Sequence, residues 1–223
     1  MTSKIKSEFI KIMIERGFIH QTTDQNELDN QCHNHSMTGY IGFDCTASSL
    51  HVGSLIQIMM LRWFQKTGHK PIVLMGGGTT KIGDPSGKDS ARPVLTNQII
   101  HDNKNSIKNI FENFLYFGEN KNDASIVDNA SWLENINYIE FLRDFGSLFS
   151  VNKLLNLDSI KMRLEREQNL SFLEFNYSLL QAFDFLKLNE EYDCKLQMGG
   201  SDQWGNIITG LELIRKKLSR QAF

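Results

Sequence analysis

Apolar and polar positions along the chain follow two different periods, and these periods predict most of the secondary structure. Helical spacing of apolar residues predicts amphipathic helices over 3–16 and 53–67, with Gly17 placed to end the first of them. The segment 37–44 changes to a strand-like pattern, and a short apolar run over 71–75 predicts a buried strand. A strand, a tight turn, a helix and a second buried strand form a βαβ unit, so we expect a parallel sheet.

The rest of the chain continues this alternation of helices and strands. The polar segment 21–37 fits either a surface helix or a loop. The pattern further predicts helices over 96–117 and from about 202 to 219, strands over 124–128 and 195–198, and a mostly helical stretch from 132 to 188 that is broken near Gly146 and Asn156. We therefore expect one α/β domain over 1–223, with a doubly wound parallel sheet and a helical insertion at about 130–165.

Composition and charge narrow the class of protein. With 40% hydrophobic and 22% charged residues, the chain can bury a large core, which excludes a disordered or collagen-like protein. No apolar run approaches the roughly 18 residues of a membrane-spanning helix, and the first residues lack the apolar stretch of a secretion signal. The 24 Lys+Arg and 26 Asp+Glu residues give a net charge of −2, so no bulk positive field indicates nucleic-acid binding. The three widely spaced cysteines fit a reducing, cytoplasmic location and form neither a disulfide framework nor a metal-ligand cluster.

The segment YIGFDCTASSLHVGS, residues 40–54, ends a predicted strand and opens a predicted helix. A helix N-terminus carries free N–H groups and about half a positive charge, so it favours an anion. His51 can donate to a phosphate, and Thr46 and Ser54 add hydroxyl groups. Gly53 allows a flat base to approach the backbone. The alternative is an ordinary strand-to-helix turn with capping His and Ser side chains.

The segment GGGTTKIGDPSGKDSARP, residues 76–93, predicts a long structured loop. Part of it is similar to a Walker-type phosphate loop, but the spacing fails. Only three residues separate Gly83 from Gly87, and the residue after the lysine is Asp where Ser or Thr is required. A glycine-rich loop that carries Lys88 and Arg92 can still close over phosphates from outside. The alternative is a solvated surface loop.

Two further groups of polar residues indicate a binding site. Tyr177, Gln181 and Asp184 fall on one stripe of a predicted helix, where a phenol, an amide and a carboxylate can bind a ligand that is polar at both ends. The segment GGSDQWGN, residues 199–206, again follows a strand and precedes a helix. Its Asp202 is placed like the acidic residue that binds ribose hydroxyls in nucleotide folds. A solvated helix face and a plain helix cap are the respective alternatives.

Taken together, these segments resemble the catalytic domain of a class I aminoacyl-tRNA synthetase, and specifically that of the bacterial tyrosyl-tRNA synthetases. The motifs that carry the resemblance match in order: YIGFDCTASSLHVGS, GGGTTKIGDPSGK, DNASW, FSVNKLLN, SFLEFNYSLLQAFDF and LQMGGSDQWGNI. The resemblance implies a Rossmann-like domain that activates L-tyrosine with ATP to tyrosyl-adenylate and passes the tyrosine to tRNA(Tyr). It also implies a homodimer, with Mg²⁺ accompanying ATP and no tightly bound cofactor.

The resemblance implies a role for each candidate residue. The residues that would surround the substrate tyrosine are Tyr40 and Asp184 at the phenol hydroxyl, Asp84, Tyr177 and Gln181 at the ammonium group, and Gln203 along the site. Asn129 and Trp132 would support Asp184. The residues that would surround ATP are Gly42, Asp44, His51, Gly53, Gly200 and Asp202, and those that would act on its phosphates are His51, Ser54, Thr46, Lys88 and Arg92. Ser54 occupies a position where the family usually has a second histidine.

The same resemblance sets an expectation about activity and leaves two alternatives open. The family's lysine-rich second signature and its C-terminal tRNA-binding regions would follow residue 223, so we expect this chain to bind tyrosine and to activate it slowly. One alternative is a relative that acts on tryptophan, although a Tyr40–Asp184 pair suits a phenol better than an indole. The other is a catalytically impaired fragment that binds tyrosine or a partner protein.

Overall fold

The structure is a computed structural model that describes residues 5–84 and 95–223, and its central feature is a parallel sheet. The strands are β1 (Thr38–Asp44), β2 (Lys70–Gly76), β3 (Ser125–Asp128) and β4 (Cys194–Gln197). The helices are α1 (Glu8–Glu15), α2 (Gln25–Asn34), α3 (Val52–Lys66), α4 (Asn97–Phe111), α5 (Ala130–Leu133), α6 (Tyr138–Asp144), α7 (Val151–Leu154), α8 (Asp158–Glu165), α9 (Phe172–Phe175), α10 (Tyr177–Tyr192) and α11 (Trp204–Leu218). Short 3₁₀ turns cover Thr79–Lys81, Gly146–Leu148 and Ser201–Gln203.

The order of the strands creates a crevice at one end of the sheet. The strands lie in the order β3-β2-β1-β4, and each neighbouring pair is parallel. The chain therefore moves outward from β1 through β2 to β3 and then crosses to β4 on the other side of β1. In open parallel sheets such a reversal separates the connections that leave the carboxyl ends of the strands, and ligands bind in the resulting gap.

Alternate side chains of the strands pack into two separate hydrophobic cores, one on each face of the sheet. Ile41 and Phe43 of β1, together with Val73 of β2, point into a core covered by α1 to α4. Tyr40 and Ile72 point to the opposite face, which is covered by α10, α11 and the segment between β3 and α10. Helices thus cover both faces, and the predicted doubly wound α/β fold is confirmed.

Helix ends follow capping side chains more closely than the apolar pattern. α1 begins at Glu8 because Ser7 Oγ accepts from the backbone N–H of Ile10, and Gly17 after it adopts a left-handed φ of 71°. Residues 3 and 4 of the predicted helix lie outside the described residues. The polar segment 21–37 contains helix α2, which begins after Asp24, so the helical alternative is correct.

The predicted helix over 96–117 extends too far. α4 ends at Phe111, because two side chains of α3 hold the backbone that follows it. Arg62 donates to the carbonyl oxygen of Phe114 at 2.5 Å, and Gln65 donates to that of Tyr116 at 2.7 Å. Those carbonyl groups are then directed at α3 instead of along a helix axis.

The segment between β3 and α10 contains a buried ion pair. Arg163 of α8 binds Glu174 of α9 at 2.6 Å, and only 5% and 4% of the two side chains are exposed. Arg163 also donates to the carbonyl oxygen of Asn169, and Glu174 accepts from the N–H and hydroxyl of Ser171. The pair therefore fixes the connection from α8 to α9, which leads directly into α10.

We expect Arg163→Met to destabilise the chain by about 3–5 kcal/mol, because it leaves the Glu174 carboxylate buried without its cation. The matched control is Lys161→Met on the same helix, whose exposed ion pair with Glu165 should contribute less than about 1 kcal/mol. Chemical denaturation of both variants measures the difference. Equal losses in the two would contradict the role given to the buried pair.

Candidate functional site

A cavity of about 670 Å³ opens at the carboxyl ends of β1, β2 and β4, where the strand order reverses. It brings together most of the residues that the sequence singles out: Tyr40, Gly42, Asp44, Thr46, His51, Ser54, Asp84, Tyr177, Gln181, Asp184, Asp202 and Gln203. Gly53 and Gly200 line an adjoining pocket of about 370 Å³. Lys88 and Arg92 lie outside the described residues. Segments far apart in sequence therefore meet at one place.

Asp184 is a buried acid of the cavity with a strongly shifted pKa. Its carboxylate is 2% exposed and accepts from Asn129 Nδ2 at 2.9 Å and from Trp132 Nε1 at 2.7 Å. Burial raises the pKa of Asp184 to about 7, although these two hydrogen bonds act in the opposite direction. Each carboxylate oxygen can accept more than one hydrogen bond, so the group can still accept from a ligand.

Tyr40 carries a buried hydroxyl beside this carboxylate. The side chain is 1% exposed, its ring packs on Phe185 at a centroid distance of 5.3 Å, and no described residue forms a hydrogen bond with its hydroxyl. Burial and the nearby charge of Asp184 raise the pKa of Tyr40 well above its usual range, so the phenol stays protonated. A buried polar atom without a partner is costly, and it marks a position that a ligand can satisfy.

A second network joins β1 to α10. The Tyr177 hydroxyl donates to Asp44 Oδ2 at 3.2 Å, and Thr79 Oγ1 donates to Asp44 Oδ1 at 2.9 Å. Thr79 also accepts from Asn129 Nδ2 at 3.0 Å. Burial, followed by the charges of Asp44 and Asp84, raises the pKa of Tyr177. The phenol of Tyr177 is thus a neutral donor between carboxylates.

Amide side chains form another wall, in which Gln181 and Gln203 line the cavity and Asn206 supports them. Gln203 donates to Asp84 Oδ2 at 2.8 Å and to Asp202 Oδ2 at 2.9 Å. Asn206 donates to Gln181 Oε1 and to Gln203 Oε1, both at 3.0 Å. These contacts orient the carbonyl and amino ends of each amide, so the wall presents a fixed pattern of donors and acceptors.

The N-terminus of α3 forms the third wall. His51 is the exposed cap of this helix, and its Nδ1 accepts from the N–H of Gly53 at 3.0 Å. A Cβ atom at Gly53 would lie 2.7 Å from His51 Cε1, so the glycine makes room for the histidine ring. Ser54 is 8% exposed and lines the cavity with Thr46.

Gly42 in the cavity and Gly200 in the adjoining pocket differ in their surroundings. A Cβ atom at Gly42 would meet nothing within 4 Å, so this stretch of β1 faces open space. At Gly200 the added atom would overlap the carboxylate of Asp202. Glycine at 200 therefore allows the Asp202 side chain to fold back over its own loop.

Thr79 and Asn206 belong to these networks but lie outside the set of residues predicted from the sequence. Both lie within segments that the sequence marks, 76–93 and 199–206. Thr79 is 3% and Asn206 4% exposed, and burial of a short polar side chain is what distinguishes them. The sequence signal was a polar residue beside glycines at the end of a strand.

The family model for tRNA synthetases class I (W and Y) matches residues 32–223. The chain belongs to this family. The tyrosine–tRNA ligase of Beijerinckia indica subsp. indica is 59% identical over 217 residues, which are 97% of this chain and 52% of that protein. The tyrosine–tRNA ligase of Zymomonas mobilis is 57% identical over 221 residues, 99% of this chain and 54% of that protein. The chain spans about half the length of these curated relatives, and the predicted resemblance to bacterial tyrosyl-tRNA synthetases is confirmed.

Solved structures agree with this assignment. A C-terminally truncated mitochondrial tyrosyl-tRNA synthetase of Aspergillus nidulans superimposes with a TM-score of 0.86 at 32% identity, over 96% of this chain and 62% of that chain. A tyrosyl-tRNA synthetase of Archaeoglobus fulgidus complexed with L-tyrosine gives a TM-score of 0.68 at 17% identity, over 91% and 58% of the two chains, and supports the fold alone.

No group of three or more His, Cys, Asp or Glu side chains within residues 5–84 and 95–223 is arranged to hold a metal ion. In the same ranges, no helix combines the length and the apolar character that crossing a membrane requires.

The raised pKa of Asp184 predicts a pH dependence of stability. The unfolded chain releases this proton near the ordinary value of 3.8, whereas the folded chain keeps it until about 7. In this interval the folded state binds more protons, so the contribution of Asp184 to the free energy of unfolding falls as the pH rises. Asp184→Asn removes that contribution. Denaturation curves from pH 4 to 8 should show a smaller loss of stability with rising pH in the variant than in the unchanged chain, and parallel pH profiles would contradict the assignment.

Proposed function

We propose that this chain is the catalytic part of a tyrosine–tRNA ligase that activates L-tyrosine with ATP, and that the whole protein transfers the tyrosine to tRNA(Tyr). The observation that carries the proposal is the unpaired buried hydroxyl of Tyr40 beside the Asp184 carboxylate. The names of the curated relatives support the same substrate. The position of the cavity at the reversal of strand order supports a nucleotide as the second ligand.

Recognition of the phenol follows from hydrogen-bond capacity. A substrate hydroxyl donates to Asp184 and at the same time accepts from the Tyr40 hydroxyl, so both buried groups gain a partner. An indole N–H donates but cannot accept, so it would leave Tyr40 unsatisfied. This difference favours tyrosine over tryptophan, the other amino acid in the family's description.

Recognition of the ammonium group uses the other end of the same cavity. Asp84 supplies negative charge, while Tyr177 and Gln181 supply oxygen acceptors on one face of α10. Gln203 binds Asp84 at 2.8 Å and holds it beside this group. The substrate is thus fixed at both ends, which leaves its carboxylate toward the N-terminus of α3 as the reacting group.

Recognition of ATP uses the end of β1, the N-terminus of α3 and the loop after β4. Gly42 leaves open space for the nucleotide, Gly200 makes room for the Asp202 side chain beside it, and Asp202 binds the ribose hydroxyls. The remaining candidates act on the phosphates or flank the nucleotide: Asp44, Thr46, His51, Gly53, Ser54, Lys88 and Arg92. Mg²⁺ arrives with ATP, bound chiefly by phosphates and water.

The reaction needs positioning rather than a protein nucleophile. A carboxylate oxygen of the substrate tyrosine attacks the α-phosphorus of ATP, the bond from that phosphorus to the bridging oxygen breaks, and pyrophosphate leaves with the electron pair. The carboxylate is already ionised, so no general base is required. Cationic and N–H donors around the phosphates then stabilise the charge that develops on the leaving group.

The partners of the whole protein extend this proposal. We infer a cytoplasmic homodimer, in agreement with the family resemblance. Large apolar side chains exposed between β3 and α10 support a protein interface there, because they gain from burial: Tyr138 at 55%, Ile139 at 70%, Val151 at 60% and Phe172 at 68% exposure. We propose that the whole protein, and not this chain alone, binds tRNA(Tyr).

The test of the activity is tyrosine-dependent exchange of labelled pyrophosphate into ATP. We expect slow exchange by this chain, and a loss of about 10²-fold in His51→Ala because one preorganised donor to the phosphates is removed. His51→Asn keeps a capping acceptor for Gly53 and should lose a similar amount, which separates the phosphate contact from helix capping. Tyrosine affinity, measured by calorimetry, should stay unchanged. Tyrosine binding with no exchange in the unchanged chain would instead favour the impaired fragment.

Tyr40→Phe should reduce the preference for tyrosine over phenylalanine by about 1–2 kcal/mol, because one partner of the substrate hydroxyl is lost. The same change removes an unpaired buried hydroxyl and should not destabilise the free chain. Titration with both amino acids and thermal unfolding measure the two effects. Tyr116→Phe, at a residue 70% exposed and outside the cavity, is the control. An unchanged preference in Tyr40→Phe would refute the phenol site.

A further inference from the structure

Cys45 is held by its backbone from two elements outside its own loop. Its N–H donates to Thr80 Oγ1 at 2.8 Å, and its carbonyl oxygen accepts from Asn103 Nδ2 at 2.9 Å. All three residues are buried, with exposures of 0% for Cys45, 4% for Thr80 and 8% for Asn103. Both bonds therefore lie away from water, where breaking one leaves a polar group unsatisfied.

These two bonds act at the point where β1 ends and the chain turns toward α3. Asp44 is the last residue of β1, and Thr46 and His51 follow Cys45 before α3 begins at Val52. Residues 45–51 form neither helix nor strand, so the regular hydrogen bonds of an element do not fix them. The path of this loop is then set at Cys45 by the side chains of Thr80 and Asn103.

Thr80 and Asn103 lie on either side, in sequence, of the segment that carries Lys88 and Arg92. Thr80 lies in the turn Thr79–Lys81 and Asn103 lies in α4, whereas Lys88 and Arg92 are between them in sequence. Thr79, next to Thr80, donates to Asp44. The loop after β1 and both flanks of the segment with Lys88 and Arg92 are therefore joined through one buried residue.

We propose that Thr80 and Asn103 are positioning residues that fix the loop 45–51 for its contacts with the phosphates of ATP. The inference rests on the proposed function for the identity of the ligand, but the fixing of the loop is independent of it. Neither side chain lines the cavity. Both act through the backbone of Cys45, which sets where Thr46 and His51 lie.

The affinity for the substrate tyrosine should not depend on the contacts that Thr80 and Asn103 make with Cys45. The phenol contacts of the substrate belong to Tyr40 within β1 and to Asp184 in α10, and Asp184 is held by Asn129 and Trp132. Loosening the loop then affects the interactions that strengthen as charge develops on the phosphates. Such a change lowers the rate of activation without an equal loss of amino-acid affinity.

The experiment uses two pairs of variants of the chain. Thr80→Val keeps the shape of the side chain but removes the hydroxyl that Cys45 donates to, whereas Thr80→Ser keeps the hydroxyl. Asn103→Ala removes the buried amide, whereas Asn105→Ala removes an exposed amide from the same helix. Hydrogen–deuterium exchange of the peptide that covers 45–51, tyrosine affinity and the rate of pyrophosphate exchange are measured for each.

We expect Thr80→Val and Asn103→Ala to raise deuterium uptake over 45–51 and to lower the pyrophosphate exchange rate by about tenfold, with tyrosine affinity unchanged. Thr80→Ser and Asn105→Ala should behave like the unchanged chain. Unaltered uptake over 45–51 in Thr80→Val and Asn103→Ala would overturn the inference, and so would raised uptake with an undiminished exchange rate. Absence of pyrophosphate exchange in the unchanged chain would refute the proposed function, and the uptake over 45–51 would then decide alone whether the two side chains fix the loop.

Discussion

The side chain of Asn129 is the contact on which the cavity depends. Its Oδ1 accepts from the N–H of Gly78 at 2.8 Å, while its Nδ2 donates to Thr79 Oγ1 at 3.0 Å and to Asp184 Oδ2 at 2.9 Å. One amide at the end of β3 therefore holds the loop after β2 and the carboxylate of α10. The residue is 1% exposed, so none of these bonds is weakened by competition with water.

Asp128, the residue before Asn129, anchors the same loop on its other side. Its carboxylate accepts from the N–H of Gly77 and of Ala130 and binds Lys104 of α4 at 2.6 Å. A Cβ atom at Gly77 would overlap the Asp128 carboxylate, and a Cβ atom at Gly78 would lie 3.2 Å from Asn129 Oδ1. The glycines after β2 are therefore required by the close approach of side chains from β3. Asp128 and Asn129 thus fix the backbone directly after β2, where the segment 76–93 begins.

Much of this arrangement could be predicted from the sequence, for identifiable reasons. The continuous apolar run in β2 predicts a strand that is buried on both faces of its sheet, and polar motifs after successive strands must meet at one edge when the strands are parallel. Helix ends were harder to predict. The end of α4 depends on Arg62 and Gln65, which are far away in sequence, and no local signal near Phe111 carries that information.

The residues of the candidate site likewise fall into those that the sequence predicts and those that it does not. Tyr40, Asp184 and the residues of the GGSDQWGN segment stand out by their chemical type and their place after a strand or along a helix. Thr79, Thr80, Asn103 and Asn206 are ordinary polar residues in the sequence, and their importance comes from burial against backbone or side chains of another element. Such contacts depend on how the elements pack, so periodicity and motif spacing do not predict them.

The carboxyl group of Asp184 links occupancy of the cavity to protons. Its pKa of about 7 in the free chain means that a sizeable fraction of molecules carry the proton at neutral pH. A ligand hydroxyl that donates to this group stabilises the ionised form more than the protonated form, so its entry lowers the pKa and favours release of the proton into the solvent. The heat measured on binding then contains the ionisation enthalpy of whichever buffer accepts that proton. The affinity for such a ligand accordingly depends on pH near neutrality, where Asp184 titrates in the free chain.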